Sequence, residues 1–197
     1  MKALCFENTI KTNGTDKEPY FYIKPETTFL VKNRPFFIPE YSNDIRAQLF
    51  VAVRICKIGK YITEKFAFDY FNELTAGVCF TAIDLFNEQK AKDASPDISR
   101  NFDFSCSIGK FITKPDELSF KNIDAKLTLN SAEMVSFKIE DINLSFRKMI
   151  VYASGFVSLK MGDIIMATTE LSANSVKIHD KLQVSLNENP FVNVEIK

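Results

Sequence analysis

Histidine is nearly absent from this chain of 197 residues: His179 is the only one. The four cysteines, Cys5, Cys56, Cys79 and Cys106, are scattered and form no C-x-x-C pair. Together these shortages exclude the ordinary zinc spacings, which need clustered Cys and His ligands. Excess charge is absent as well, since Lys+Arg and Asp+Glu both number 25 and the formal net charge is zero. Without a basic run the chain has no electrostatic footprint for a polyanion, so no nucleic-acid partner is expected. No apolar run approaches the roughly 20 residues of a membrane-spanning helix. The N-terminus, Met1-Lys2-Ala3-Leu4-Cys5-Phe6-Glu7-Asn8, turns polar too soon for a signal peptide. The expectation is a cytoplasmic protein with no membrane partner. Repeats, low-complexity stretches and linkers are also missing, which predicts a single domain over residues 1–197.

What is present is ordinary globular material, 46% hydrophobic and 25% charged. Leu49 to Ile55 and Val78 to Thr81 are apolar runs that predict buried strands. Thr63 can cap a helix reaching Tyr70, with Phe66 and Tyr70 on one face. A second helix is predicted through Asp84 to Lys90. Ile142, Phe146, Met149, Ile150 and Ala153 recur at helical spacing, which places a third over Asp141 to Ala153. Asp163 to Ala167, Lys181 to Leu186 and Phe191 to Ile196 read as strands, the last two joined at an Asn187-Glu188-Asn189-Pro190 turn. Many short strands with few short helices indicate an α+β, mainly β domain. The cysteines have apolar neighbours, as in Val78-Cys79-Phe80, which suits buried, reduced thiols.

Several segments are similar, in order and spacing, to the fumarylacetoacetate hydrolase family. They are Glu18-Pro19-Tyr20-Phe21-Tyr22-Ile23-Lys24-Pro25, Arg34-Pro35-Phe36-Phe37-Ile38-Pro39, Val53 to Lys60, Phe80-Thr81-Ala82-Ile83-Asp84-Leu85, Phe102-Asp103-Phe104-Ser105 and Leu159 to Ile165. The resemblance covers nearly the whole chain. It implies a mixed β-roll or sandwich with a few short helices, a homodimer or a mixed dimer with an active relative, and a divalent cation, typically magnesium. Members of the family hydrolyse, decarboxylate or isomerise 2-keto and diketo acids on that cation.

Held against the family's motifs, the site positions depart from the pattern. The E-x-E pair of metal carboxylates falls on Gln48 and Phe50, and the third carboxylate falls on Cys79. A soft thiol suits magnesium poorly, so no resident metal or other cofactor is expected. The family's arginine in the Cys79–Asp84 segment is Ile83, and its lysine before F-D-G-S is Arg100. The motif's glycine is Phe104. The glycine-rich loop that approaches a carboxylate matches Ala167 to Asn174, where only Thr169 survives. Val135, Phe137 and Ile139 stand where Gln, Gly and Thr would be. The stretch 1–18 is short and carries no histidine in place of the family's lid helix, and His179 reads as an exposed turn residue.

Three readings follow. The first is a catalytically inactive homologue with a structural, interaction or regulatory role, its cavity refilled by Phe50, Phe104 and Phe137. The alternative is a residual enzyme of the family, a hydrolase, decarboxylase or isomerase with a rearranged site, recruiting Asp84, Asp103, Asp141 or Glu170. A third is an anion-binding module using Lys24, Arg100 and Thr169, although Lys24 before a proline is more simply a strand end.

Overall fold

A computed structural model describes residues 1–7, 9 and 20–197. In chain order the strands are β1 (Lys2–Phe6), β2 (Phe21–Pro25), β3 (Phe29–Leu30), β4 (Ile45–Ile55), β5 (Phe71–Ala82), β6 (Cys106–Ile108) and β7 (Ile112–Thr113). They continue with β8 (Asp124–Leu129), β9 (Ala132–Lys138), β10 (Ile164–Thr168), β11 (Lys181–Leu186) and β12 (Asn189–Glu195). The α-helices are α1 (Glu64–Ala67), α2 (Ile83–Ala91), α3 (Glu117–Lys121) and α4 (Phe146–Phe156). One sheet runs β2-β1-β10-β4-β5-β6-β3, with β7 added on β5, and the other runs β12-β11-β8-β9. β1–β10 and β3–β6 pair in parallel while the remaining pairs are antiparallel, so the large sheet is mixed. It curls into a half-barrel of mainly β character, as expected from the sequence.

The long antiparallel pair β4–β5 sets the frame, running in register from Ile45↔Ala82 to Ile55↔Phe71 with a bulge at Arg54/Ile55. Both faces of β4 are covered, which is why its sequence is a continuous apolar run rather than an alternation. Successive side chains still go to opposite faces. Leu49, Val51 and Val53 join the larger core with the second sheet and α4, while Phe50 and Ala52 join a smaller one with Cys5, Cys79, Cys106 and Met166.

α4 buries Phe146, Met149, Ile150 and Ala153 as their spacing requires. Its start is set by Ser145, whose hydroxyl accepts from Lys148 N, so it begins after the Asp141 that the periodicity suggested. Ile142 is buried ahead of the helix, and Asp141 ends a short 3₁₀ turn over Ile139–Asp141. α1 continues as a 3₁₀ turn to Tyr70, without a side-chain cap from Thr63. Two hairpins of the second sheet turn through left-handed pairs, Asn130-Ser131 (φ 51° and 70°) and Asn187-Glu188 (φ 46° and 65°). Such pairs match strand twist, and asparagine tolerates them. Among the described residues no helix is long and apolar enough to cross a membrane.

Candidate functional site

Gln48, Phe50 and Cys79 are brought together by the β4–β5 ladder. Gln48 lies opposite Cys79 and Phe50 opposite Gly77, and all three side chains are buried. Gly77 is needed there: a Cβ on it would come within 2.4 Å of Phe50 Cζ and 2.2 Å of Ser107 O. The ring therefore lies on bare backbone. Ile83 opens α2, half-buried, with its N–H on Asp44 O at 2.8 Å.

These residues do not fit a hard divalent cation. Phe50 has no donor atom, Gln48 offers at most a neutral oxygen, and Cys79 Sγ is 3.1 Å from Cys106 Sγ. Among the described residues no cluster of three or more His, Cys, Asp or Glu could hold a metal.

Lys24 is not the simple strand end the sequence suggested. It is fully buried, and its Nζ donates to Arg100 O and, at 3.1 Å, to Ser105 Oγ. Arg100 in turn pairs with Glu7 at 2.8 Å and stacks 3.9 Å over the Tyr22 ring, and Tyr20 donates to Glu7 at 2.6 Å. Burial pushes the Tyr22 phenol well up, as do the neighbouring sulfurs of Cys5 and Cys79. Lys24 and Arg100 are thus joined as a buttress between β2 and the segment before β6. Glu7 and Tyr22 belong to it too. Sequence reasoning missed both, and the only available signal was the place of Tyr22 two residues before Lys24 on β2 and of Glu7 just after β1.

Thr169 does not join that pair. Its hydroxyl accepts from Leu49 N at 3.0 Å and donates to Glu170 O at 2.9 Å, so the side chain is spent pinning the loop after β10 to β4. The proposed triad of anion contacts therefore separates into a pair and a loop clasp.

The refilled cavity is also corrected in part. Phe50 fills its face completely, but Phe104 is half exposed, with a left-handed φ of 61°. Phe137 and Ile139 are buried in the larger core, on the far side of the sheet from Phe50. Of the carboxylates, Asp84 is a clasp: its Oδ1 accepts from Ser42 Oγ and Leu85 N, and its Oδ2 from Asn43 N. Asp141 caps the Lys138 N–H. Asp103 and Glu170 are exposed. His179 occupies an exposed turn at φ 75°. The lid replacement lies outside the described residues, apart from residues 1–7 and 9.

Beside Gln48 a recess of about 400 Å³ opens between β4, the second sheet and the 169–174 loop, lined by Gln48, Met134, Val135, Thr169, Glu170 and Ser172 among others. Its lining is mostly apolar. Gln48 borders the recess, but the pleat turns its side chain to the Phe50 and Cys79 face; its amide Nε2 is buried and has no hydrogen-bond partner, an arrangement that costs free energy unless a ligand or water meets it.

The family model described as fumarylacetoacetate (FAA) hydrolase C-terminal matches residues 2–197. Among curated relatives, the mitochondrial oxaloacetate tautomerase FAHD1 of Bos taurus is 26% identical over 175 residues, covering 89% of this chain and 79% of the relative. The mitochondrial oxaloacetate decarboxylase of Dictyostelium discoideum is 27% identical over 166 residues, covering 84% and 76%. Among solved structures, the fumarylpyruvate hydrolase of Pseudomonas aeruginosa, in complex with Mn2+ and pyruvate, superposes with a TM-score of 0.89 at 17% identity, covering 100% of this chain and 89% of that one. The 5-carboxymethyl-2-hydroxymuconate delta-isomerase of Mycobacterium smegmatis superposes with a TM-score of 0.85 at 17% identity, covering 99% and 78%. At those identities the structural likeness speaks for the fold, and the match over residues 2–197 places the chain in the fumarylacetoacetate hydrolase family.

Proposed function

We propose that this chain acts on a small enolisable 2-keto acid with an apolar tail, binding it without a divalent metal in the recess beside Gln48. The observation that carries the reading is the buried, unpartnered Nε2 of Gln48, a residue that borders that recess. A keto or enol oxygen would satisfy this donor, and the apolar walls would take the tail. The activities of the relatives, tautomerisation and decarboxylation of oxaloacetate, support this choice of substrate class. Keto–enol tautomerisation makes the smallest demand on such a site, because only a proton moves on and off carbon. An amide donor aimed at the oxygen that gains charge is the kind of stabilisation this step uses.

The test is a thermal-shift and tautomerisation assay with oxaloacetate and an acylpyruvate in excess chelator. The expected result is a ligand-dependent rise in melting temperature that survives chelation and is lost in Gln48→Leu. A response that appears only with added magnesium would overturn the reading. The second reading, a non-catalytic homologue, is favoured by Phe50 seated on Gly77, which fills the position of a metal carboxylate. It predicts neither a shift nor turnover under any condition.

A further inference from the structure

Three of the four thiols are on the sheet face that carries Phe50, and two of them are directly opposed. Cys79 on β5 and Cys106 on β6 are register partners, with Sγ atoms 3.1 Å apart. The bond from Phe80 N to Ser105 O, 2.8 Å, brackets them as a non-hydrogen-bonded pair of the antiparallel ladder. In that geometry the Cα atoms are about 4.5 Å apart, inside the range of roughly 4.4–6.8 Å that a disulfide spans. Small side-chain rotations, without backbone movement, are enough to close it.

We propose that Cys79 and Cys106 form a redox couple that a hydroperoxide oxidises to an intramolecular disulfide in the folded chain. Two further features support this. Lys24 Nζ is held beside Ser105, the residue preceding Cys106, and among the described residues no carboxylate pairs with it, so its charge favours a thiolate on this face. Burial works to raise the Cys79 thiol, but the Cys106 S–H it would accept and the Lys24 charge outweigh that, whereas burial and the Cys79 sulfur drive Cys106 well up. Cys79 is taken as the attacking sulfur and Cys106 as the resolving one; the two sulfurs face each other, so the product is the same in either order.

The chemistry balances. The Cys79 thiolate attacks one peroxide oxygen, the O–O bond breaks, and the departing oxygen takes a proton to leave as water or alcohol. Cys106 sulfur then attacks the sulfenic sulfur, the S–S bond forms, the S–O bond breaks, and a second oxygen leaves as water. Two thiols give up two electrons and two protons, which the hydroperoxide takes up. A dithiol returns the pair to the reduced state by exchange.

The experiment treats the full chain, carrying Cys56→Ser to remove the partly exposed thiol, with hydrogen peroxide under native conditions. It is then alkylated in denaturant and mapped by mass spectrometry without reduction. The expected product is a cross-linked peptide pair containing Cys79 and Cys106, abolished by dithiothreitol and absent in Cys106→Ser. In that variant Cys79 should accumulate as sulfenic acid. If Cys106→Ser does not fold, Cys106→Ala serves the same arm. Recovery of both thiols fully alkylated after peroxide, or linkage of either to Cys5 instead, would overturn the proposal.

Discussion

Phe104 carries a backbone made for glycine. Its φ of 61° is left-handed, a conformation that costs an ordinary L-residue about 1–2 kcal/mol, and its ring is half exposed and so loses little on removal. Phe104→Gly is expected to stabilise the chain by about 1 kcal/mol after the extra unfolded-state entropy of glycine, read as a higher urea midpoint. Gly77 is the opposite case. Gly77→Ala would drive a methyl into Ser107 O and the Phe50 ring, and is expected to cost about 3 kcal/mol or more in the same measurement. Their place at polar positions of the family's motifs grouped Phe50, Phe104 and Phe137 as fillers of one cavity. The strand ladder separates them, because side-chain direction follows position in the pleat and only Phe50 points to the Cys79 face. Lys24 was misread for a related reason. Lys-Pro does end a strand, but the curl of the sheet turns that end inward onto Arg100 and Ser105.

At the level of elements, the β4 and β5 strands, α2 and α4 were legible because apolar runs and periodicity are local signals. The hairpin β8–β9 was not. Asp124-Ala125-Lys126-Leu127-Thr128-Leu129 does alternate polar and apolar, but β9 is largely half-buried or exposed without a clear alternation, and the Asn130-Ser131 turn lacks the usual glycine that would mark a hairpin. The start of α2 shows what a carboxylate does once its element is known. Ala82 provides no side-chain cap, and Asp84 instead joins the first turn to the 42–44 loop through Ser42, Asn43 and Leu85. Burial pulls the Asp84 carboxyl upward, but these donors win and hold it below its ordinary value. A depressed carboxyl contributes stability that is fully present above the unfolded value, about 3.9, and is lost as the pH falls through the folded value. Asp84→Asn should therefore melt lower than the natural protein at neutral pH, and the gap should shrink as the pH falls below about 4. Calorimetric scans across that range check it.

For the whole molecule, the fold survives because the family's scaffold and its metal centre draw on different residues. The β4–β5 frame is held by the face carrying Leu49, Val51 and Val53, while the metal positions use the alternate face. Changes at Gln48, Phe50 and Cys79 can then accumulate without disturbing the larger core. Ile58, Tyr61, Phe156 and Met161, all strongly exposed near the Gly59–Leu159 bridge, give an apolar surface suited to a second copy. Light scattering is expected to report a dimer, weakened in Ile58→Asp. The separation of scaffold from centre also fixes what restoring the carboxylates would do. Gln48→Glu, Phe50→Glu and Cys79→Asp together would place three like charges at positions no more than 3% exposed, beside a core of aromatics and thiols. Desolvation and mutual repulsion would raise their folded pKa values, so the variant should lose stability as the pH rises through the ordinary carboxylate range. At neutral pH the loss should be at least about 3 kcal/mol relative to the natural chain. Magnesium should recover some of it by neutralising the trio, while no magnesium-dependent keto-acid turnover should appear, because Ile83 and the glycine-free loop at 167–174 would be unchanged. In the natural chain, calorimetric titration should find no magnesium site. Micromolar affinity there, or turnover that excess chelator abolishes, would show that Gln48 and its neighbours hold a cation after all.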